Sequence, residues 1–217
     1  MNTQVFAGFD NMPWNSYDCS IIPKYMNLAI IPTIAISAVI VAGVLLAFNR
    51  SKKGEPFTSD KAEWQYESAL MLYCEATGKL PEELEESDTD IIWNNACNHC
   101  SMFLTWAIMR GYCGESHLSD EPEAVEKVKE REMTGTEFFI KYCDCKLWRE
   151  DFAEIILPFV DAYYESHYLE TYIATARKKL KKEPLTFSFS WEDYEVFEGA
   201  LDRAYRRWQF WSRFATK

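Results

Sequence analysis

The sequence contains no glycine-rich phosphate loop, no G-x-S-x-G elbow and no H-E-x-x-H pair. Motif support is therefore missing for a P-loop enzyme, an α/β-hydrolase and a zincin. No stretch alternates apolar and polar residues for the length of a strand, which argues against a sheet-based fold. No internal repeat or low-complexity tract is present. Positive charge is scarce: four of the 23 Lys and Arg and two of the 34 Asp and Glu precede residue 54, so the remainder carries 19 against 32, a net of −13. Nonspecific nucleic-acid binding, which takes clustered positive charge, is excluded on that ground. The acidity suits a basic protein partner and serves solubility equally well.

The chain does have one long apolar run. Met26 to Phe48, "MNLAIIPTIAISAVIVAGVLLAF", carries no ionisable residue. As a helix it would cover about 34 Å, slightly more than the hydrocarbon core of a bilayer. The run is too long for a signal peptide, and the 25 residues before it hold Asp10, Asp18 and only one base, Lys24. The expectation is a single transmembrane helix, with Arg50, Lys52 and Lys53 behind it placing the C-terminal part in the cytoplasm of a bacterial inner membrane. Residues 1–25 would form a short extracytoplasmic tail, 49–59 a linker, and 60–217 a cytoplasmic domain.

That domain reads as an all-α bundle. Asp60 with Glu63 resembles a capping pair before a helix that Gly78 closes. Asp88 or Thr89 caps a long helix reaching Arg110 and stopping at Gly111. Pro122 opens a charged helix, and Thr134 with Glu137 caps "EFFIKYC". Helical pattern continues from Arg149 to about Lys182 with a break at Pro158, and "EPLTFSFS" holds a short extended stretch. Ser190 with Asp193 starts the last helix.

Cys97, Cys100, Cys113 and His117 stand at zinc-finger spacing. A tetrahedral site needs all four within a few ångströms, and "SMFLTWAIMR" between them has no turn residue. Along one helix Cys113 would lie roughly 20 Å beyond Cys97, so no metal is assigned to this set. Cys143 and Cys145, arriving from another helix, escape that objection. In a cytoplasmic domain the thiols are expected reduced and buried.

Four segments, "AEWQYESALMLYCEATGK", "NHCSMFLTWAIMRGYCGESH", "MTGTEFFIKYCDCKLWREDF" and "FSWEDYEVF", together resemble a family of small bacterial helical domains of unknown function. The motif positions are Trp64, His99, Phe103, Leu104, Trp106, Thr134, Glu137, Phe138, Phe139, Cys143, Asp144, Lys146, Trp191, Glu192 and Tyr194. Cys145 stands where the family usually has Gly. The resemblance implies no catalytic residue and no cofactor, and some relatives look like toxin-system immunity proteins.

Three functions follow as expectations. The first is a membrane-anchored immunity protein that occludes a cognate toxin with the acidic stretch Glu82, Glu83, Glu85, Glu86, Asp88 and Asp90. The second is an enzyme or metal-dependent sensor using His99 and the Cys143–Lys146 loop. The third is a membrane scaffold packing through Ala38 and Ala42, and self-association as a homodimer is a separate expectation. In the last helix Phe197, Leu201, Ala204, Trp208 and Trp211 form the core stripe, leaving Arg206, Arg207, Phe210, Arg213 and Phe214 as a membrane-facing surface.

Overall fold

A computed structural model describes residues 56–215. In chain order it contains β1 (Ser59–Lys61), α1 (Glu63–Thr77), α2 (Glu86–Met109), α3 (Glu115–Asp120), α4 (Pro122–Lys129), α5 (Gly135–Cys143), β2 (Lys146–Trp148), α6 (Leu157–Tyr163), α7 (Leu169–Thr175) and α8 (Trp191–Ala215). Two π-helical turns, Tyr164–Tyr168 and Ala176–Leu180, flank α7.

One expectation needs correction. The transmembrane helix at 26–48, like the tail and most of the linker, lies outside the described residues. Among the described residues no helix is long and apolar enough to cross a membrane. The two longest show why: α2 begins with Glu86, Asp88 and Asp90, and α8 carries charged residues along its whole length. The single-pass membrane architecture is therefore withdrawn, and with it the reason for reading the end of α8 as a membrane-facing surface. The all-α reading of the domain holds, with one two-stranded ribbon added to it, in which β1 and β2 pair antiparallel, Asp60 opposite Leu147. Three-residue strands are too short to leave a period-two signal, whereas the extended stretch expected at 183–190 forms no strand.

Helix α2 is the axis of the fold. Every residue from Asn95 to Ile108 is buried, and α1, α5 and α8 pack around it. Phe103 is its aromatic hub, meeting the Tyr164 and Tyr168 rings at 4.8 Å and Phe152 and Trp106 at 5.6 Å. Edge-on and tilted contacts of this kind add roughly 0.5–1.5 kcal/mol each beyond area burial.

A helix buried on all sides has no wet face for its polar side chains, so each needs a partner inside the protein. Asn98 donates to the Phe187 carbonyl at 2.9 Å, the Ser101 and Thr136 hydroxyls share a bond of 2.7 Å, and Trp106 Nε1 donates to Asp202 at 2.9 Å.

The caps explain the helix boundaries. Thr134 Oγ1 accepts from the Glu137 amide at 3.2 Å while Glu137 Oε2 accepts from the Thr134 amide at 2.7 Å. Ser190 accepts from the Asp193 amide at 3.1 Å. Gly78 ends α1 with φ of 73°. In α8, Phe197 and Leu201 are buried as expected, but Trp211 is 64% exposed, because the helix outruns the body on which it packs.

The start of α5 is the tightest approach to α2: a β-carbon on Gly135 would lie 1.7 Å from Thr105 Oγ1 and 3.2 Å from the Phe189 ring. Gly135→Ala is expected to destabilise the domain by about 1–3 kcal/mol through overpacking. Gly78→Ala, with open space around it and only the left-handed backbone to strain, should cost about 1 kcal/mol. Urea unfolding midpoints compare the two directly.

Candidate functional site

The most concentrated buried polar chemistry surrounds His99. Strand β1 delivers Asp60, α2 delivers His99 and Cys100, and the first π-helical turn delivers Tyr164 and Tyr168. His99 Nε2 lies 3.1 Å from Asp60 Oδ2 and 3.2 Å from Cys100 Sγ. Tyr164 donates to the same Asp60 oxygen at 2.9 Å, with its hydroxyl 3.6 Å from Cys100 Sγ. Tyr168 donates to the His99 carbonyl at 2.5 Å. The extra residue of a π turn rotates the following side chains, and such turns are frequent at functional sites.

Burial works to raise the Asp60 carboxyl, but His99, the Tyr164 hydroxyl and the Lys61 amide outweigh it and hold the group below the usual carboxylate range. Burial, and after it the Asp60 charge, pushes the Cys100 thiol well up, so it stays protonated and is a poor nucleophile. A cavity of about 10 Å³ adjoins His99, lined also by Gln65, Tyr172, Ile173, Pro184 and Leu185. His99 Nδ1 and Gln65 Oε1 are both buried there without a hydrogen-bond partner.

A second cluster gathers around His117. Its Nε2 lies 2.9 Å from Asp151 Oδ1 and 3.7 Å from Cys143 Sγ, and its Nδ1 is 3.4 Å from Glu121. Among the described residues, Asp60–His99–Cys100 and His117–Cys143–Asp151 are the groups of three donors able to hold a metal. The zinc-finger spacing joins neither. Helix α2 runs unbroken past Cys97 and Cys100, while Cys113 bridges to Phe152. Cys145 meets Cys97, and that hydrogen bond, followed by burial, drives the Cys97 thiol up. All six described cysteines are free.

The Cys143–Lys146 loop does not form a site with His99 as a unit. Cys143 faces His117, whereas Asp144 and Lys146 form an ion pair at 2.5 Å on the surface. The loop's contribution is to position Asp60: the Cys145 carbonyl accepts from the Ala62 amide at 3.0 Å, and β2 pairs with β1. Asp144 and Cys145 both have left-handed backbone, φ 50° and 55°, a conformation that favours glycine.

Phe103 and Trp106 are core residues, Glu137 is an exposed cap, and Trp64 is 40% exposed beneath Lys61. Trp191 lies under Arg131 at 5.2 Å. Of the acidic stretch, Glu82, Glu83, Glu85, Glu86 and Asp90 are exposed, but Asp88 is buried. Lys79, and after it Tyr73, bind the Asp88 carboxylate at 2.6 and 2.5 Å and bring its pKa down to about 2. Arg206, Arg207 and Arg213 are exposed, and the exposed rings of Phe210, Trp211 and Phe214 pack on one another at 5.2–6.3 Å.

Asp60 is the site residue that sequence reading missed. Its D-x-x-E context imitates a capping pair, yet Ala62 occupies the N-cap of α1 and the Asp60 carboxylate points inward. No local signal marks this, because the partner is 39 residues away.

The His117 cluster makes stability depend on pH. Burial opposes charge on His117, but Asp151 and then Glu121 outweigh it and raise its pKa; the facing Cys143 and Cys113 thiols, pushed up by burial, stay neutral. A pKa raised by folding means that the pair's contribution is complete below pH about 6.5 and disappears as pH climbs through the folded value. Unfolding free energy is expected to fall as pH rises above about 6.5 from this source, and His117→Gln should remove that component. Chemical denaturation across the pH range measures both slopes.

No curated protein and no solved structure matches the chain. A match to the family described as Domain of unknown function (DUF7832) covers residues 58–186, well over half of the chain. It begins just before β1 and ends ahead of α8, so it includes Asp60, His99, Cys100, Tyr164 and the His117 cluster. It carries nothing about toxin immunity. The chain belongs to the DUF7832 family, a family of helical architecture here and of unknown function, as its motifs imply.

Proposed function

We propose that the domain acts by binding a basic protein surface through the acidic edge between α1 and α2, and that it serves as an immunity factor that neutralises a cognate toxin by occlusion. The observation that carries this reading is the exposed row Glu82, Glu83, Glu85, Glu86 and Asp90, bounded by the exposed apolar side chains Leu80 and Ile91. A charged rim with apolar anchors is the composition of a protein interface. The edge is held rigidly. The Leu80 amide donates to Glu83 at 2.9 Å and the Glu85 amide to Asp88 at 2.9 Å, while Lys79 and Tyr73 close over Asp88. A preformed surface loses less conformational entropy on binding. Complementary charge contributes mainly to association rate and partner choice.

An enzymatic role for His99 is less well supported. The cavity beside it, about 10 Å³, has room for one water and for no organic substrate.

The side chains of Glu82, Glu86 and Asp90 take no part in the capping bonds, so reversing them breaks no hydrogen bond of the edge, and circular dichroism checks that the fold is kept. The products of genes flanking this protein's own are the probes. One of them is expected to co-purify with the full chain and to lose its toxicity on co-expression. Combined Glu82→Lys, Glu86→Lys and Asp90→Lys should slow association at low salt by at least about tenfold. Absence of capture and protection with every flanking product, or full binding by the triple variant, would remove the proposal.

A further inference from the structure

We propose that Asp60, His99 and Cys100 form a binding site for a divalent transition-metal ion of the zinc class, with Tyr164 orienting the carboxylate. Their donor atoms Oδ2, Nε2 and Sγ all lie within 4.8 Å of one another, with the imidazole nitrogen 3.1 Å from the oxygen and 3.2 Å from the sulfur. Bonds of about 2.0–2.3 Å at tetrahedral angles separate donors by about 3.3–3.8 Å, so the imidazole nitrogen stands within a few tenths of an ångström of the required spacing from each of its two neighbours. Mixed oxygen, nitrogen and sulfur ligation is zinc-like chemistry. Entry is available from one side: the Asp60 side chain is 17% exposed, with His99 buried behind it.

The hydrogen bonding at the other end of the imidazole supplies a second, independent argument. Without an ion, Nε2 carries the ring proton, since a carboxylate can only accept, and Nδ1 is left as a buried acceptor. The neighbouring Gln65 oxygen is an acceptor too. Both lack a partner, and both border the same cavity.

Coordination at Nε2 moves the ring proton to Nδ1, turning it into a donor aimed at the space it shares with Gln65 Oε1. Metal-bound histidines characteristically donate their second N–H to a carbonyl, carboxylate or water in this way. Binding releases one proton, that of the Cys100 thiol, as the sulfur–metal bond forms; the histidine proton is only relocated. Tyr164 donates to that same Asp60 oxygen at 2.9 Å and so holds the carboxylate in place while the oxygen keeps a lone pair for the ion.

The His117–Cys143–Asp151 cluster provides an internal control, because it offers the same three donor types elsewhere. The full chain, stripped with a chelator, is titrated with cobalt(II) and then challenged with zinc(II). One cobalt per chain is expected, with a thiolate-to-cobalt absorption band that zinc abolishes. Cys100→Ser should eliminate the band and Cys143→Ser should retain it, while His99→Gln weakens binding by at least about tenfold. No band in the unmodified protein would overturn the assignment whether or not any variant folds. A band that follows Cys143 instead of Cys100 would overturn it too, by placing the ion at the other cluster.

Discussion

Burial of polar side chains on α2 is the constraint from which the rest of the domain follows. A helix apolar on one face only could leave its polar groups in water. Here Asn95 to Ile108 are all buried, and four elements far apart in sequence must arrive with complementary groups. The loop before α8 accepts from Asn98, α5 meets Ser101, α8 accepts from Trp106, and β1 answers His99. An unanswered buried polar group costs roughly 1–3 kcal/mol, so misplacing any of these elements is penalised at a specific residue. This is how an otherwise nonspecific apolar core selects one arrangement.

His99 is the most demanding of these residues, and the small sheet exists in its service. Three residues of β1 held by three of β2 make a marginal pairing by themselves. Their worth lies in what they position. Leu147, opposite Asp60, is buried in the core, and Arg149 forms an ion pair with Asp161 while its amide donates to the Thr58 carbonyl at 3.0 Å. Asp60 is thereby fixed from both ends of the strand. The π-helical turn completes the enclosure: Tyr164 reaches Asp60 and Cys100, and Tyr168 reaches the His99 carbonyl.

Helix α2 was legible in the sequence because nothing between Ile91 and Met109 punctuates it, and its apolar residues occupy all sides. Reciprocal capping at Thr134–Glu137 and the Ser190 cap on the Asp193 amide were legible for the same reason: the interaction is local and its chemistry is written within four residues. Asp60 was not legible, since its local pattern imitates a cap while its true partners, His99 and Tyr164, lie 39 and 104 residues away. The acidic stretch was read correctly in composition but not residue by residue. Asp88 turns inward to satisfy Tyr73 and Lys79, and only its neighbours face solvent. The cysteine spacing was set aside on helix length, and the fold does keep that set apart: His117 meets Cys143 and Asp151 and not Cys97.

The central claim, that the His99–Asp60 contact ties the periphery to the axis, is tested most directly by a double-mutant cycle on metal-free protein. Asp60→Asn, His99→Gln and their combination are compared with the unmodified chain by urea unfolding. A hydrogen bond between a buried imidazole and an ionised carboxylate predicts a coupling energy of about 1.5–3 kcal/mol. Additive effects, agreeing within about 0.5 kcal/mol, would contradict the account and leave the two residues as independent passengers of the core.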